Sequence, residues 1–388
     1  MGDAPAGADR YRAWLEGLLG VPVTDGNRVD VLHNGDEIFA AMLEAVRAAT
    51  FSIDLVTFIF KGSIADEFGD ALCERARAGV RVRVLLDAIG AGLSSRDVVA
   101  RMREAGAHVE LFRPVLNPRV WETFHRAHRK VLVCDQTLAF TGGVGIADEW
   151  RGDARDPSEW RDTHFRVQGP AVDGLLGSFV HNWAEMGGPL FEDGVDRFPE
   201  QPRPGPSALQ VVRAGARTGW GAMATLAWSL LQLTRQRVRM AAAYFVPDDR
   251  MLQLLCATAR RGVEVEVLVN GPNADKGISR LASEAQFTAL LEGGIRVWRF
   301  QPSMLHLKAM LVDGVVASVG SANFNSRSLL LDEEVNTVIF DPDVVAILDA
   351  QFDEDVARAE PVDPEAWATR GTARKALEAV PGFVGRHL

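Results

Sequence analysis

The chain has 388 residues, 47% of them hydrophobic, and is therefore long enough to bury a core in two domains or in one bilobal body. Its formal net charge of −10 argues against a protein that binds nucleic acid by bulk electrostatic attraction, so no nucleic-acid partner is expected. No apolar run is long enough to span a bilayer, the N-terminus lacks the apolar stretch expected of a secretory signal, and three scattered cysteines (Cys73, Cys134 and Cys256) fit a reducing compartment.

The N-terminal segment contains an apolar face at helical spacing, formed by Tyr11, Trp14, Leu15, Leu18 and Leu19. Such a face suits either a membrane interface or packing on the body of the protein. Helical and strand-like patterns then alternate. The predicted elements are a helix at 36–49, a strand at 51–60, a helix at 64–78, a strand at 80–86, a helix at 97–105, a strand at 108–112, and strands at 130–134 and 139–141.

The second half of the chain repeats this order. The predicted elements are a helix at 222–234, a strand at 238–246, a helix at 249–260, a strand at 263–269, a helix at 283–292, and strands at 295–300 and 308–312. Alternation of strands and helices predicts an α/β fold with mixed or largely parallel sheets, one in each half.

These patterns divide the chain into five predicted segments. They are an N-terminal amphipathic segment (1–28), a first half (29–200), a proline-rich linker (201–207), a second half (208–355) and a C-terminal segment (356–388). The last segment carries Trp367 with Arg370, Arg374 and Lys375, and it is a second candidate for membrane contact. The alternative is that both terminal segments pack on the body.

One eight-residue pattern, H-x-K-x₄-D, occurs in each half. The first copy contains His128, Lys130 and Asp135, and the second contains His306, Lys308 and Asp313. Each copy is followed, after six residues, by two small residues, which are Gly142-Gly143 and Gly320-Ser321. Recurrence in one register indicates an internal duplication. Small residues there would let backbone amides approach a phosphate, whereas the two aspartates could be catalytic or could cap the strands.

These residue types suit reactions at a phosphodiester. Lysines can stabilise the anionic oxygens, one imidazole can attack phosphorus, and the other can protonate the leaving alkoxide. The scheme requires one neutral and one protonated histidine at once, which predicts a bell-shaped pH–rate profile. Next to the first motif lies a cluster of basic residues. The cluster predicts a basic mouth, that is, a positively charged entrance to the site that suits a small anionic group. The alternative is that these residues are scattered surface charges. The members of the cluster are Arg113, Arg119, Arg126, Arg129 and Lys130.

The duplicated pattern resembles the signature of the phospholipase D superfamily, over about residues 29–355. Several phrases are most similar to bacterial cardiolipin synthases of the short type without membrane spans. They are Thr57–Phe60, Arg161–His164, Val167–Pro170, Tyr244–Asp248, Gly320–Asn323, Arg327-Ser328 and Glu334–Asn336. The resemblance implies two similar α/β/α halves about a pseudo-twofold axis, with one active site at their interface.

The resemblance also implies a chemistry and roles for residues. It implies a ping-pong transfer through phosphohistidine without metal or cofactor, with His128 as nucleophile and His306 as acid and base. An acidic residue beyond each motif, Asp162 or Glu334, would orient its histidine, and Ser321 and Asn323 would contact phosphate oxygens. One departure is Gly145, which stands where the first half of relatives often has Asn.

The expected function is therefore phosphatidyl transfer, most simply from two phosphatidylglycerols to cardiolipin and glycerol. Phospholipase D hydrolysis with water is the main alternative, and a nuclease is a weaker one. Expected partners are phospholipids, namely phosphatidylglycerol and possibly phosphatidylethanolamine. The expected location is the cytoplasm, with peripheral contact to the membrane.

Overall fold

The computed structural model describes residues 7–92, 94–114, 125–189, 198–215, 221–275 and 277–370. The strands are β1 (Thr24–His33), β2 (Ser52–Thr57), β3 (Arg81–Asp87), β4 (His108–Phe112), β5 (Val131–Cys134), β6 (Leu138–Gly142), β7 (Thr163–Gln168), β8 (Ser207–Arg213), β9 (Arg237–Ala242), β10 (Glu264–Asn270), β11 (Arg296–Phe300), β12 (Lys308–Val312), β13 (Val316–Gly320), β14 (Val335–Phe340) and β15 (Ala359–Pro361). The helices are α1 (Ala8–Leu19), α2 (Asn34–Ala48), α3 (Gly62–Arg77), α4 (Arg96–Glu104), α5 (Ala171–Glu185), α6 (Ala222–Leu233), α7 (Asp249–Arg260), α8 (Gly277–Glu284), α9 (Phe287–Glu292), α10 (Ser326–Leu330), α11 (Pro342–Ala357) and α12 (Pro364–Ala368).

The two halves have the same strand order. Read outwards from the middle of the sheet, the first half runs β1-β7-β6-β5-β2-β3-β4 and the second runs β8-β14-β13-β12-β9-β10-β11, with β15 added at the edge. In each half the three outer strands of the repeat are parallel, and the motif strand, β5 or β12, pairs antiparallel to the first of them. This equivalence supports the internal duplication that the motifs indicate.

The predicted sheets, one in each half, are joined into a single sheet. Antiparallel pairing of β1 with β8 links the halves, so the described residues form one 15-stranded sheet. The α/β class is confirmed, but the separation into two sheets is wrong. The join was missed because β1 carries Gly26 and Asn27 at an irregularity in its register and is only partly buried, which weakens its strand pattern.

Helices cover both faces of the sheet. On one face, α2, α3 and α4 pack on the first half, and α1, α6, α7 and α9 pack on the second, each group with its own apolar core. On the other face, α5 and α11 share one core that runs across both halves. Strands covered on both faces are buried along their length, as in β2, where every residue is buried. The shared core holds the two halves together beneath the join.

Most predicted helices and strands are present with small shifts at their ends. The helix at 249–260 coincides with α7, and the helix at 222–234 is α6. The helix expected at 283–292 is instead two short helices, α8 and α9. At the N-terminus, Tyr11 and Leu15 of α1 are buried, so packing on the body accounts for that part of the amphipathic face.

The C-terminal candidate for membrane contact also packs inwards. Trp367 is buried, its ring lies 5.2 Å from that of Phe287, and the guanidinium of Arg370 lies 4.3 Å from the centre of the indole. For Trp367, packing on the body is therefore the alternative that the structure shows; Arg374 and Lys375 lie outside the described residues. No helix in the described part of the chain is long and apolar enough to cross a bilayer.

Candidate active site

Short parallel bridges bring the two motifs to the interface of the halves. The segment before β5 pairs with the segment before β14: the backbone N–H of His128 donates to the carbonyl of Glu333 at 3.0 Å, and Glu333 donates to Arg126 at 3.0 Å. The equivalent segment before β12 pairs with that before β7, where His306 donates to the carbonyl of Arg161 at 2.7 Å. The backbone of each histidine is thus held in place by a hydrogen bond to the backbone of the other half.

The same exchange between halves holds for the orienting carboxylates. Nδ1 of His128 lies 2.9 Å from Oε1 of Glu334, and Nδ1 of His306 lies 2.9 Å from Oδ2 of Asp162. Each acid therefore contacts the histidine of the opposite half, whereas the sequence resemblance implies that each acid orients the histidine of the motif it follows. A carboxylate only accepts, so each Nδ1 carries a proton. Nε2 of His306 lies 3.2 Å from Nζ of Lys308.

Both carboxylates are buried and ionised. Burial by itself raises the pKa of Asp162, but the hydrogen bond with His306 and the nearby positive charges outweigh it and hold the pKa below its ordinary value. For Glu334, burial is outweighed in the same way by the charge and hydrogen bond of His128. Ionised partners fix the tautomer and ring orientation of both imidazoles.

The environments of the two histidines differ. The His306 imidazole is stacked on Trp160 at 5.4 Å between ring centres and meets Trp150 edge-on at 4.8 Å, while Tyr244 lies 6.2 Å away. His128 meets Phe58 edge-on at 5.3 Å, and its side chain keeps 14% exposure against 6% for His306. His128 is therefore the more accessible of the two.

The lysines lie beside the histidines that precede them. Nζ of Lys130 donates to the carbonyl of His128 at 2.8 Å, and Nζ of Lys308 donates to that of His306 at 2.5 Å. Burial lowers the pKa of Lys130 to about 8 and that of Lys308 to about 7; for Lys308, Asp162 opposes the shift and Lys130 reinforces it. Charges from both halves act on one another, as in a single site.

Burial and the charge of Lys308 have a large effect on His306. Together they lower its pKa to about 3 despite the hydrogen bond with Asp162, and Lys130 of the other half adds to the shift. In the free protein His306 is therefore neutral near pH 7, with a proton on Nδ1. An anionic group entering beside the lysines would raise this pKa, because negative charge favours the imidazolium form.

The small residues after each motif make room for the acids. A Cβ added at Gly143 would lie 2.6 Å from Oδ1 of Asp162, and one at Gly142 would lie 2.5 Å from the ring of His164. At the position equivalent to Gly143, the hydroxyl of Ser321 donates to Oε2 of Glu334 at 2.5 Å. The absence of a side chain at Gly143 thus leaves room for Asp162, and Ser321 forms a hydrogen bond with Glu334.

The equivalent positions 145 and 323 differ between the halves. Asn323 is buried; its Nδ2 donates to Ser328 at 3.4 Å, and its Oδ1 has no hydrogen-bond partner among the described residues. A Cβ at Gly145 would lie 3.1 Å from Ile59 and 3.3 Å from Trp150. Trp150 therefore occupies the space that an asparagine would need in the first half.

The motif aspartates lie at the opposite ends of their strands from the histidines. Asp135 accepts backbone N–H groups of Thr50, Phe51 and Ser52 at distances of 2.7 to 3.1 Å. Asp313 accepts those of 235–237 and the hydroxyl of Tyr11 at 2.6 Å. Seven residues of extended chain span roughly 20 Å, so neither reaches the site. Their placement among the catalytic residues is corrected: they cap the loops.

Among the described residues, the predicted basic mouth is not present. Arg126 is buried and bonded to Asp87 at 2.8 Å, and Arg113 bridges Glu185 and Glu333. Arg129 is fully buried and donates to carbonyl groups. These side chains form internal networks because buried guanidinium groups need acceptors, and only Lys130 of the cluster joins the site. Arg119 lies outside the described residues.

Comparison with known families decides the relationship. A family model described as "Cardiolipin synthase, PLD-like domain" matches residues 42–149 and 228–356, which include both motifs. The chain belongs to this family. A cardiolipin synthase from Geobacillus sp. (strain WCH70) is 33% identical over 92% of this chain and 72% of its own length. A probable cardiolipin synthase from Bacillus subtilis (strain 168) is 32% identical over 91% and 71%. The cardiolipin synthase-like chain is therefore an enzyme, a phosphatidyltransferase of the phospholipase D superfamily.

Solved structures support the fold. Phosphatidylserine synthase from Haemophilus influenzae Rd KW20 has a TM-score of 0.71 at 16% identity, covering 97% of this chain and 100% of its own. Polyphosphate kinase from Porphyromonas gingivalis has a TM-score of 0.59 at 15% identity, covering 100% of this chain and 56% of its own. These likenesses concern the fold of the cardiolipin synthase-like chain.

Two residues around His306 were missed by the sequence analysis. Trp150 donates from Nε1 to Asp162 at 3.0 Å and lies edge-on to the imidazole, and Trp160 stacks on it. The available signal was the occurrence of two tryptophans within the twelve residues before Asp162. A buried tryptophan near a carboxylate tends to use its N–H as a donor.

Proposed function

We propose that this enzyme transfers a phosphatidyl group from one phosphatidylglycerol to a second, giving cardiolipin and glycerol, with His128 as nucleophile and His306 as acid and base. The observation that carries the proposal is the pair of exchanged contacts, His128 with Glu334 and His306 with Asp162. They hold two imidazoles at one interface with each Nδ1 on a carboxylate, and Nε2 of His306 lies 3.2 Å from Nζ of Lys308, beside the cation that would bind the phosphodiester.

The difference in accessibility supports these roles. His128 is the more exposed histidine, so its Nε2 can accept a bulky phosphatidyl group. His306 is surrounded by Trp150, Trp160 and Tyr244, a setting that suits proton transfer with little room for a covalent adduct. The aromatic wall also limits water beside His306, which favours an alcohol as acceptor over hydrolysis.

In the first step, Nε2 of His128 forms a bond to phosphorus and the bond from phosphorus to the glycerol oxygen breaks. His306 gives its Nε2 proton to that oxygen, and glycerol leaves. Lys130 and Lys308 stabilise the anionic oxygens of the phosphodiester. Although the pKa of His306 is about 3 in the free protein, the bound anion next to Lys308 raises it, so the imidazole can carry the proton.

In the second step, the neutral Nε2 of His306 takes the proton from a hydroxyl of the second phosphatidylglycerol. That oxygen bonds to phosphorus, the bond between phosphorus and His128 breaks, and cardiolipin is released. At the end of this step Nε2 of His306 carries a proton again and His128 is free, as at the start of the cycle. With water in place of the hydroxyl, the same step would give phosphatidic acid.

The test is incubation of the protein with phosphatidylglycerol vesicles, with and without phosphatidylethanolamine or glycerol, followed by mass spectrometry of the lipids. Cardiolipin with glycerol supports transfer between two phosphatidylglycerols, whereas phosphatidic acid alone supports hydrolysis. His128→Ala and His306→Ala should each abolish both products. A variant that kept turnover near the wild-type rate would contradict the two-histidine scheme.

Peripheral contact with the membrane is part of the proposal. Trp14 and Leu18 of α1 are 55% and 51% exposed, although Tyr11 and Leu15 on the same helix are buried. An exposed tryptophan and leucine on one helix suit the boundary between head groups and acyl chains. Sedimentation with phosphatidylglycerol vesicles should fall for Trp14→Ser with Leu18→Ser, and unchanged sedimentation would count against this surface.

A further inference from the structure

A second cavity lies behind the segment that carries His128. It has a volume of about 710 Å³ and lies between α5 of the first half and α6 of the second, with α1 along one side. The motif histidines and lysines are not among the described residues that line it. Arg129 and Glu333, which do line it, adjoin His128 and Glu334 along the chain, so the two sites share a wall of backbone.

Three guanidinium groups line this cavity. Nη2 of Arg113 lies 2.5 Å from Glu185 and 2.9 Å from Glu333, so its charge is matched. Arg129 is fully buried, and its nearest carboxylate, Glu333, is 3.8 Å away. Each nitrogen of its guanidinium already has a partner: Nη1 donates to Ser178 and Asn182, Nη2 donates to Ala214 and lies 3.5 Å from His181, and Nε donates to the carbonyl of Glu334. The two carboxylates are therefore shared by Arg113 and Arg129.

Arg213, the last residue of β8, is the third. Within the described residues no carboxylate lies within salt-bridge distance of it. Its guanidinium rests against α5 where Gly177 has no side chain, since a Cβ there would lie 2.8 Å from Nη1. Three cations and two carboxylates leave the cavity with an excess of positive charge.

The excess of positive charge affects the pKa of His181, which lies on the wall of the cavity. Burial lowers its pKa, and the charges of Arg129, Arg213 and Arg113 add to the effect while Glu333 opposes it. An anion bound in the cavity would neutralise the positive potential at His181.

We propose that this cavity is a second binding site, in which Arg213 binds a phosphate-class anion and the buried charge of Arg129 adds to the attraction. The guanidinium of Arg213 presents a planar fork of donors that matches phosphate oxygens, and the anion would supply the negative charge that Arg213 lacks. The anion is the phosphate of an acidic phospholipid or free phosphate. Leu18, Leu19 and Ala222 provide an apolar side to the cavity.

The cavity lies next to the segment that carries His128, but its described lining residues do not include the motif histidines and lysines. Glu333 lines the cavity with its side chain, and its carbonyl accepts the backbone N–H of His128 at 3.0 Å. An anion that draws Arg113 or Arg129 from Glu333 would act on the segment that positions His128 and Glu334. The inference goes beyond the proposed transfer, because binding here requires no turnover.

The experiment follows the ring signals of His181 by NMR during titration of the intact protein, with His181→Gln used to assign them. The probes are inorganic phosphate, dihexanoylphosphatidylglycerol below its micelle concentration, and the net-neutral dihexanoylphosphatidylcholine. We expect a saturable shift of the His181 signals with at least one anionic probe. Saturation at lower concentration with the lipid assigns an acidic head group, and equal or lower concentration with phosphate assigns the free ion.

Arg213→Gln should require on the order of tenfold more anion, because a charge-assisted hydrogen-bond pair is lost. Arg213→Lys, which keeps the charge, should bind within a few-fold of the wild type. Arg235→Gln is the matched control, since Arg235 is exposed at the opposite end of the sheet, beside Asp313.

Three results would overturn the proposal. They are no His181 response to either anion, the same response in Arg213→Gln as in the wild type, and a response to phosphatidylcholine equal to that to phosphatidylglycerol. None of them bears on cardiolipin formation. Failure here is therefore distinguishable from failure of the proposed transfer.

Discussion

The Nδ1 atom of His128, in the first half of the chain, lies 2.9 Å from Oε1 of Glu334, in the second half. The equivalent contact runs the other way, from His306 to Asp162. Neither half therefore contains a complete histidine and carboxylate pair. The active site exists only because the halves are joined, through β1 and β8 in the sheet and through the core beneath α5 and α11.

Removing the charge of either acid should impair the reaction while leaving the fold intact. For Glu334→Gln and Asp162→Asn we expect kcat to fall by about 10²- to 10⁴-fold, with a much smaller change in KM, because the imidazole loses its fixed tautomer and orientation. Steady-state kinetics on phosphatidylglycerol vesicles measure this. Glu360→Gln, at the exposed edge strand β15, is the control. Near-normal kcat in either site variant would show that the carboxylates are structural.

The alkaline limb of the pH profile should come from the lysines. The pKa of Lys308 is lowered to about 7 and that of Lys130 to about 8, mainly by burial. As the pH rises through 7 to 8, both lose the charge that attracts the phosphodiester, so kcat/KM should fall. A bell-shaped profile is still expected, but its high-pH side does not report a histidine.

Lys308→Arg separates these causes. Arginine keeps its charge at all these pH values, so the alkaline limb should move up towards the pKa of Lys130, although the rate itself falls. The comparison is kcat/KM from pH 5 to 10 for the wild type and the variant. An unmoved alkaline limb would mean that another group sets it.

Gly143 should be intolerant of any side chain. A methyl group there would come within 2.6 Å of Asp162, which is fully buried and fixed by bonds to Trp150, Thr163 and His306. For Gly143→Ala we expect a loss of about 1–3 kcal/mol in the free energy of unfolding and a drop in kcat like that of Asp162→Asn. Urea titration and lipid assays measure the two effects.

Gly17→Ala provides the matched control for that substitution. Gly17 is exposed on α1 and a Cβ there meets nothing within 4 Å, so alanine should be neutral or stabilise by up to about 1 kcal/mol. Equal behaviour of the two variants would contradict the role given to Gly143.

Asp135→Ala should affect stability and leave catalysis nearly unchanged. Burial opposes ionisation of Asp135, but the N–H groups of 50–52 outweigh it and hold the pKa of the carboxyl below its ordinary value. The carboxylate therefore stabilises the fold above about pH 4, and that contribution is lost as the pH falls further. We expect about 1–3 kcal/mol less stability at pH 7 and a kcat within a few-fold of the wild type. A loss of kcat as large as that of His128→Ala would restore Asp135 to the catalytic residues.

Local patterns in the sequence were enough to predict the repeated elements and the motif residues. The motif strands and the helices around them have clear periodicity, and H-x-K recurs in one register. The exchange of Asp162 and Glu334 between halves could not be predicted, because each acid follows its own motif along the chain. That exchange depends on bridges at 127 with 333 and at 161 with 305, which are contacts between distant segments.

The basic cluster failed as a prediction for a related reason. Arg113 and Arg126 are close to the first motif in sequence, but their acceptors, Glu333 and Asp87, come from other strands and loops. Charge counted along a sequence does not show which cations are already paired inside the fold. Of the cluster members that the structure describes, only Lys130 has its charged group beside the reactive histidine.

The most direct test of the central claim is to trap the covalent intermediate. The enzyme is mixed with phosphatidylglycerol, quenched in neutral denaturant within a turnover, and its peptides are analysed by mass spectrometry. We expect a phosphatidyl group on His128, none on His306, and no adduct in His128→Ala. An adduct on His306, or cardiolipin formed at the full rate with no adduct on either histidine, would contradict it.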